Sequence, residues 1–268
     1  MKYLIAVDLE GIHGVVGDRY ETLTASKDYP LAVEGAVLEV NTAISALFDE
    51  GAELVAVWDN HGGIVNIPKE KIDKRAVHIN AKGEKYRFDF AKNYGFDALL
   101  FIGYHSREGT KGGVLAHTYN STAIQYARLN GKDIGELFVD SYIAASHEFL
   151  PIFVASDDKG VLEAKEIRSD IRSVITKYGK SRNSADLLPR EEVLTAIYEE
   201  VRAAAKLNSP CELSLMQTAT LQVRYTRSER AEDKLERARL ENIPVSYGED
   251  SHTLIFKITA ANQIPLLL

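Results

Sequence analysis

Aspartate, glutamate and histidine residues recur in this sequence at the points where buried strands are expected to end. Asp8 and Glu10 follow the first apolar run, and His61 and His105 follow the second and the third. Glu136 opens a later segment whose apolar residues have helical spacing. Carboxylates and neutral imidazoles are, besides thiolates, the ligands that zinc accepts in proteins. These five residues are therefore candidate metal ligands.

A site of this composition is suited to hydrolysis at a carbonyl carbon. Two divalent ions a few ångströms apart can activate a water molecule and polarise the substrate oxygen. A carboxylate can bridge two ions because each of its oxygens can bind one. His117 follows the glycine-rich stretch 112–116 and is expected near the same edge. A histidine beside such a site can act as general base, general acid or hydrogen-bond donor.

Taken one at a time, these residues have ordinary structural explanations. An aspartate at a strand end is often a turn former, and a glutamate at a helix start is favoured by the helix dipole. Loop histidines are often simply solvated. The functional hypothesis depends on finding all five at consecutive strand-end positions. Other histidines lack that placement and are predicted to be structural or exposed: His78, His147 and His252.

The elements that must position these side chains alternate between strand and helix. Ligands of open α/β sheets bind at the carboxyl ends of the strands. Such an order predicts an α/β fold with a mostly parallel sheet flanked by helices. The strands are expected at 3–7, 53–58, 98–102 and 151–155, and the helices at 31–50, at 135–147 and from 157 onward. Asn130-Gly131, between two apolar segments, predicts a tight hairpin.

The pattern changes from about residue 210. Residues 213–225 are rich in strand formers, residues 229–240 have the pattern of a charged helix, and residues 253–258 predict another strand. We expect a smaller C-terminal α+β extension that packs on the first domain. The predicted domains are a metal-binding catalytic domain over residues 1–208 and the extension over residues 209–268.

Composition excludes several classes of function. The 268 residues carry a net charge of −7, with 32 basic and 39 acidic residues, which argues against binding to nucleic acid or to an anionic membrane surface. No uninterrupted run reaches the ~18 apolar residues of a membrane span. The glycines at 11, 14 and 17 do not have the spacing of a dinucleotide fingerprint. Cys211 is the one cysteine, so an intrachain disulfide is impossible, and a reducing, cytoplasmic location is predicted.

Six short stretches, in order and in register over roughly residues 1–185, resemble the zinc D-aminopeptidases of the DppA type. They are Val7–Ile12, Asp59–His61, Gly103–His105, Gly113–His117, Ile134–Leu137 and Val154–Asp158. The resemblance implies two zinc ions, with ligands at Asp8, Glu10, His61, His105 and Glu136 and a catalytic histidine at His117. It also implies release of the N-terminal residue from short D-amino-acid peptides such as D-Ala-D-Ala, by a ring-like homo-oligomer.

The resemblance leaves some questions open. His13 stands where members of the family have a small residue, so it could reshape the pocket or offer a further ligand, and residues beyond about 190 match poorly. One alternative function is a two-metal hydrolase that acts on a non-peptide amide or an ester. Another is a non-catalytic metal-binding or peptide-binding module. His117 argues against the second, because a purely structural metal site has little use for an additional histidine.

Overall fold

A computed structural model describes residues 1–17, 24, 26–63, 65–81, 83–207, 213 and 218–268. Short 3-10 turns aside, its elements follow one another along the chain as β1 (Lys2–Val7), α1 (Tyr29–Asp49), β2 (Leu54–Asp59), β3 (Val77–Ile79), β4 (Ala98–Ile102), β5 (Ile124–Leu129), β6 (Lys132–Asp133), α2 (Glu136–Ser146), β7 (Leu150–Asp157), α3 (Asp158–Ile167), β8 (Arg172–Ser181), β9 (Ser184–Leu187), α4 (Arg190–Ala204), β10 (Ala219–Tyr225), α5 (Ser228–Leu240), β11 (Val245–Tyr247), β12 (Thr253–Ile258) and α6 (Ile264–Leu267).

The larger sheet has the strand order β3-β2-β1-β4-β7-β8-β9 among the described residues. Its pairs are parallel except for the β8–β9 hairpin at one edge. The β1 sequence is apolar on both faces, as expected for a strand covered on both sides. Tyr3, Ile5 and Val7 pack with residues of α1 and α4, whereas Leu4 and Ala6 pack with residues of α2, α3 and the second sheet. The predicted α/β architecture is confirmed.

The second sheet is antiparallel, with the order β11-β12-β10-β5-β6 in the described ranges. Asn130 and Gly131 join β5 to β6 with φ angles of +50° and +83°, as the hairpin prediction requires. The sheet thus combines C-terminal strands with a hairpin from residues 124–133. The division into 1–208 and 209–268 stays a prediction, and residues 208–212, with Cys211, lie outside the described residues.

Helix α1 is, among the described residues, the one helix long and apolar enough to cross a membrane by length and composition alone. Of its most apolar 18-residue window, 61% is buried inside the protein. Val33, Val40 and Leu47 are among the residues that contribute to the core beneath the large sheet. Burial against the sheet accounts for the apolar composition of this helix.

The helices predicted around residues 31–50, 135–147 and 157 onward, and the four predicted buried strands, are confirmed with end shifts of a few residues. Helix α3 begins after Asp157, whose side chain accepts a hydrogen bond from the Gly160 amide. Elements over residues 77–79, 172–187, 190–204 and 245–247 were not predicted. Strand β8 lacks the continuous apolar run of the central strands because it lies beside the edge and is partly exposed.

Candidate metal centre

The parallel register of β1, β2 and β4 determines where the candidate ligands lie. Val7 pairs with Asp59 on one side and with Ile102 on the other, so the three strands end at the same edge of the sheet. The residues that follow these ends therefore meet. The structure brings together all six residues selected from the sequence: Asp8, Glu10, His61, His105, His117 and Glu136.

Asp8 lies between two of the histidines. Its Oδ1 is 2.8 Å from His61 Nδ1, and its Oδ2 is 3.5 Å from His105 Nε2. Glu10 approaches the first histidine from the turn, with Oε2 3.3 Å from His61 Nδ1. The two oxygens of Asp8 thus face different imidazoles, which is the arrangement that a bridging carboxylate requires.

Glu136 stands at the first position of α2 and faces the other two histidines. Its Oε1 lies 3.4 Å from His105 Nε2 and 3.8 Å from His117 Nε2. The same oxygen accepts a hydrogen bond of 2.8 Å from the Tyr119 amide. That bond holds the carboxylate in place at the N-terminus of the helix.

Two groups of donor atoms meet at His105. Asp8, Glu10 and His105 form one, His105, His117 and Glu136 form the other, and the donor atoms within each lie within 4.8 Å of one another. His105 Nε2 is buried and has no hydrogen-bond partner among the described residues. A buried nitrogen in that condition is costly unless a ligand satisfies it. Oxygen and imidazole donors so placed fit a divalent transition metal.

The tautomers of His105, which is buried, and of His117, which is half-buried, follow from their backbone contacts. His105 Nδ1 lies 3.0 Å from the Ser106 carbonyl oxygen, and His117 Nδ1 lies 2.9 Å from the Leu115 carbonyl oxygen. A carbonyl can only accept, so each Nδ1 carries a proton, and Nε2 is the nitrogen that faces Glu136 and holds the lone pair when the ring is neutral. Hydrogen bonds of this kind orient ligand histidines in metal sites.

Burial and neighbouring charges shift the pKa values on the β1 side of the site. Burial and the charge of Glu10 raise the pKa of Asp8 to about 7. Burial alone would lower the pKa of His61, but Glu10 and Asp8 raise it to about 12. Burial alone would raise the pKa of Glu10, and the nearby His61 charge outweighs it, so the net shift is downward. Without a cation, protons on imidazole offset the carboxylate charges.

The other half of the site behaves similarly, with one exception. Burial alone would lower the pKa of His105, but Glu136 and Asp8 raise it to about 10. Burial alone would raise the pKa of Glu136, and His105 outweighs it, so this pKa falls to about 2. His117 is the exception, since burial and the neighbouring charge of His105 lower its pKa. His117 is thus the histidine of the group that stays neutral near pH 7.

Two glycines allow the β1 and β4 ends to approach closely. A Cβ on Gly11 would lie 2.0 Å from the Tyr104 carbonyl oxygen, and one on Gly103 would lie 2.1 Å from the Asp8 carbonyl oxygen. The Gly11 amide donates to the Gly103 carbonyl oxygen at 2.6 Å. These backbone contacts place Glu10 and His105 on adjacent turns, and no larger residue fits at either glycine.

The turn that carries Glu10 is also held from β8. Lys177 is fully buried, and its Nζ donates to the carbonyl oxygens of Glu10 at 2.6 Å and Ile12 at 2.7 Å. Thr176 donates from Oγ1 to the Gly11 carbonyl oxygen at 2.6 Å. Three consecutive carbonyl groups are therefore fixed by one strand. Neither Lys177 nor Thr176 was predicted from the sequence, because the residues of β8 lack the pattern of a buried strand.

The loop before His117 is attached to β4 and β7. Asp157 caps α3 with Oδ1 and accepts from the Val114 amide with Oδ2 at 2.7 Å. The His117 amide donates to the Ser106 carbonyl oxygen at 3.2 Å. The His117 ring stacks on the His105 ring, with centroids 4.0 Å apart.

Comparison with known proteins agrees with this site. The model of the peptidase family M55, described as D-aminopeptidase, matches residues 1–259. The chain belongs to the D-aminopeptidase family. The resemblance inferred from the six sequence stretches is confirmed, as is the prediction of a peptidase.

Two relatives in this family are informative. A D-aminopeptidase of Bacillus subtilis (strain 168) is 28% identical over 188 residues, which are 70% of this chain and 68% of the relative. A solved structure, the Zn-dependent D-aminopeptidase DppA from Bacillus subtilis, described as a self-compartmentalizing protease, superposes with a TM-score of 0.87. That alignment covers 100% of this chain and 96% of the other at 24% identity, and it shows a shared fold.

A cavity of about 220 Å³ lies above the candidate ligands. The sequence analysis did not identify several of its lining residues, which are Asn60, Gly62, Leu115, Tyr119, Asn120, Ser121 and Arg182. Most of them are sequence neighbours of His61 and His117, whereas Arg182 comes from the β8–β9 hairpin through long-range folding. Asn60 donates to the Tyr104 hydroxyl at 2.8 Å, which anchors the residue before His61.

His13 does not act as a further ligand in this structure. Its amide donates to Glu39 Oε1 at 2.7 Å, and its Nε2 lies 2.7 Å from the Leu188 carbonyl oxygen. The side chain of His13 lies near α1 and the segment before α4, and it does not line the metal cavity. His78 is also absent from the described lining of that cavity, and it borders a neighbouring one together with Trp58 and Arg87.

Proposed function

We propose that this chain is a binuclear zinc aminopeptidase that removes the N-terminal residue from short peptides containing D-amino acids. The observation that carries this proposal is the meeting of three carboxylates with His61 and His105 below a small cavity; the carboxylates are those of Asp8, Glu10 and Glu136. Membership of the D-aminopeptidase family supports the reaction class, and the zinc dependence named for the Bacillus subtilis structure supports the metal.

In this proposal Asp8 would contact both ions, because its two oxygens face different histidines. Glu10, His61, His105 and Glu136 complete the set that would hold the ions. Zinc at such a site polarises a carbonyl oxygen and lowers the pKa of water toward neutrality. The residues themselves supply negative charge and imidazole nitrogens; Lys177 holds the backbone carbonyl of Glu10, and the Tyr119 amide holds the Glu136 carboxylate.

His117 moves the proton in the proposed reaction. Its Nδ1 is tied to the Leu115 carbonyl oxygen, so Nε2 is the atom that exchanges protons in the cavity. Its lowered pKa keeps Nε2 free to accept a proton at neutral pH. The imidazolium then formed, 3.8 Å from the Glu136 carboxylate, can return that proton to the leaving amine.

The test is a metal assay on the purified protein combined with a substrate panel. The panel contains D-Ala-D-Ala, L-Ala-L-Ala, a cyclic amide and a simple ester. We expect about two zinc ions per chain and turnover of the D,D-dipeptide at a kcat/KM well above that of the other compounds. Preferred turnover of the ester or the cyclic amide would favour the alternative of a non-peptide hydrolase. Metal binding without any turnover would favour a binding module.

We also propose a homo-oligomer that encloses its active sites, since the related Bacillus subtilis structure is described as self-compartmentalizing. Light scattering coupled to size exclusion tests this, and a monomer at micromolar concentration would contradict it. The cytoplasmic location stays a prediction that fractionation of the source cells can check.

A further inference from the structure

Arg182 is the one lysine or arginine among the described residues that line the metal cavity. The other charged residues of that lining are carboxylates and histidines: Asp8, Glu10, His61, His117 and Glu136. A permanent cation at the wall of an acidic cavity calls for an explanation beyond metal binding, since it repels the ions that the carboxylates attract.

The backbone and side chain of Arg182 are held against the loop that carries His117. Its carbonyl oxygen accepts from the Leu115 amide at 2.8 Å, and its Nη1 donates to the Ala116 carbonyl oxygen. A carbonyl uses one of the five N–H donors of a guanidinium. The remaining donors are therefore available for a ligand in the cavity.

Arg182 has no carboxylate within 4 Å in the described part of the chain. Two other cations, Arg87 and Lys180, do have a carboxylate partner. Arg87, which borders the neighbouring cavity, pairs with both oxygens of Asp140 at 2.7 and 2.6 Å. Lys180, on the same hairpin as Arg182, pairs with Asp186. Arg182 is thus the cavity-lining guanidinium whose charge is not neutralised by a protein partner.

The covalent geometry of a dipeptide brings a carboxylate to this position. The carboxylate carbon of a dipeptide is three bonds from the scissile carbonyl carbon, and at most roughly 3.8 Å away. Arg182 contacts the residue next to His117, so a carbonyl within reach of His117 Nε2 leaves a carboxylate near the guanidinium. A cavity of about 220 Å³ also suits a small ligand.

We propose that Arg182 binds the C-terminal carboxylate of the substrate, so that the enzyme selects dipeptides with a free carboxylate. The inference rests on the proposed aminopeptidase function and specifies its substrate class. A guanidinium binds a carboxylate through two parallel hydrogen bonds, which fixes the substrate as well as attracting it. Longer peptides would place a neutral amide opposite Arg182 and lose that interaction.

The experiment compares D-Ala-D-Ala with D-alanyl-D-alaninamide, which has the same scissile bond and no terminal charge. The variant is Arg182→Gln, whose amide can still donate to the Ala116 carbonyl oxygen. Lys180→Ala is the matched control, because it removes a cation of the same hairpin that does not line the cavity. Zinc content is measured for each protein to show that the site is intact.

We expect the wild-type enzyme to prefer the free dipeptide over the amide by about 10- to 100-fold in kcat/KM, mainly through KM. Arg182→Gln should abolish that preference by lowering only the value for the free dipeptide, and Lys180→Ala should preserve it. Equal losses for both substrates in Arg182→Gln, or a wild-type enzyme that does not discriminate, would overturn the proposal.

A binding measurement separates this proposal from the proposed function. Titration calorimetry with the zinc-loaded His117→Ala protein should give a dissociation constant for D-Ala-D-Ala at least about 10-fold below that for the amide. Adding Arg182→Gln should remove the difference. Absence of turnover in the wild type, with the difference in binding retained, would refute the peptidase and keep the carboxylate site. Equal binding of both ligands would refute the carboxylate site and leave the peptidase standing.

Discussion

The imidazoles of His105 and His117 stack almost in parallel, with centroids 4.0 Å apart and planes inclined by 14°. Both rings direct Nε2 toward the same oxygen of Glu136, at 3.4 and 3.8 Å. Burial alone would lower both pKa values, but Glu136 and Asp8 raise that of His105, whereas burial and the charge of His105 lower that of His117. His105 is thereby suited to bind a metal cation, and His117, which stays neutral, is suited to accept a proton during the reaction.

The first prediction concerns the neutral ring. His117→Ala should lower kcat by about 100-fold or more, since general acid–base catalysis contributes about that factor. Zinc content should stay near that of the wild type, because the other five residues still surround the site. Metal analysis and steady-state kinetics on the same preparation check this. Loss of zinc in this variant would make His117 a ligand, and full activity would remove it from the mechanism.

The matched variant for that experiment is Asp8→Ala. Asp8 is buried beside His61 and His105, and its removal takes away the central carboxylate of the site. We expect both zinc content and activity to fall. Retention of two ions per chain after this substitution would contradict the bridging role.

The second prediction is that metal binding releases protons. In the metal-free protein the pKa values of His61 and His105 are raised to about 12 and about 10, so both imidazoles are protonated at pH 8. A cation binds only the deprotonated ring, and its affinity must therefore rise with pH. Zinc binding at pH 8 should release about two protons, which calorimetry in buffers of different ionisation enthalpy measures. Binding without proton release would show that the histidines do not bind the metal.

The third prediction tests the close approach of the β1 and β4 ends. Gly11→Ala places a Cβ 2.0 Å from the Tyr104 carbonyl oxygen, so the two turns must separate. We expect a loss of stability of about 2 kcal/mol or more together with reduced zinc content. Gly131→Ala is the control, because it strains a hairpin at φ +83° with no atom within 4 Å of the added Cβ. It should cost about 1–2 kcal/mol and leave zinc binding unchanged. Equal zinc content in both variants would show that the close backbone contact at Gly11 is not needed for zinc binding.

The fourth prediction concerns a carboxyl group away from the metal cavity. Burial raises the pKa of Glu39 to about 7, although its Oε1 accepts from the His13 amide at 2.7 Å. The folded state therefore holds a proton that the unfolded state releases near pH 4.5. The resulting stabilisation is complete below pH 4.5 and is lost as pH rises through 7.

Glu39→Gln removes that titration and keeps an oxygen for the His13 amide. Between pH 5 and pH 8 the wild type should lose about 2 kcal/mol more stability than the variant. Urea unfolding at both pH values measures the difference. Parallel pH profiles of the two proteins would show that Glu39 is ionised in the folded state throughout.

The apolar runs were sufficient to predict the central strands, and the residues Asp8, His61 and His105, which follow three of those strands, meet in the structure. A buried parallel strand must be apolar along its length, and the first polar residue after it therefore marks the edge where ligands bind. Asp8 and His105 could be found this way because the signal is local. The antiparallel hairpin at Asn130-Gly131 was likewise predicted from local turn chemistry.

Tertiary structure alone decided which distant residues support and line the site. Lys177 reaches the Glu10 carbonyl oxygen across 167 positions of the chain, and Arg182 meets the loop of His117 from a partly exposed hairpin. Neither has a sequence pattern of its own, since a lysine or an arginine in a half-buried strand or turn is usually solvated. Their roles come from the order β4-β7-β8-β9, which depends on long-range pairing and burial rather than on local residue preference.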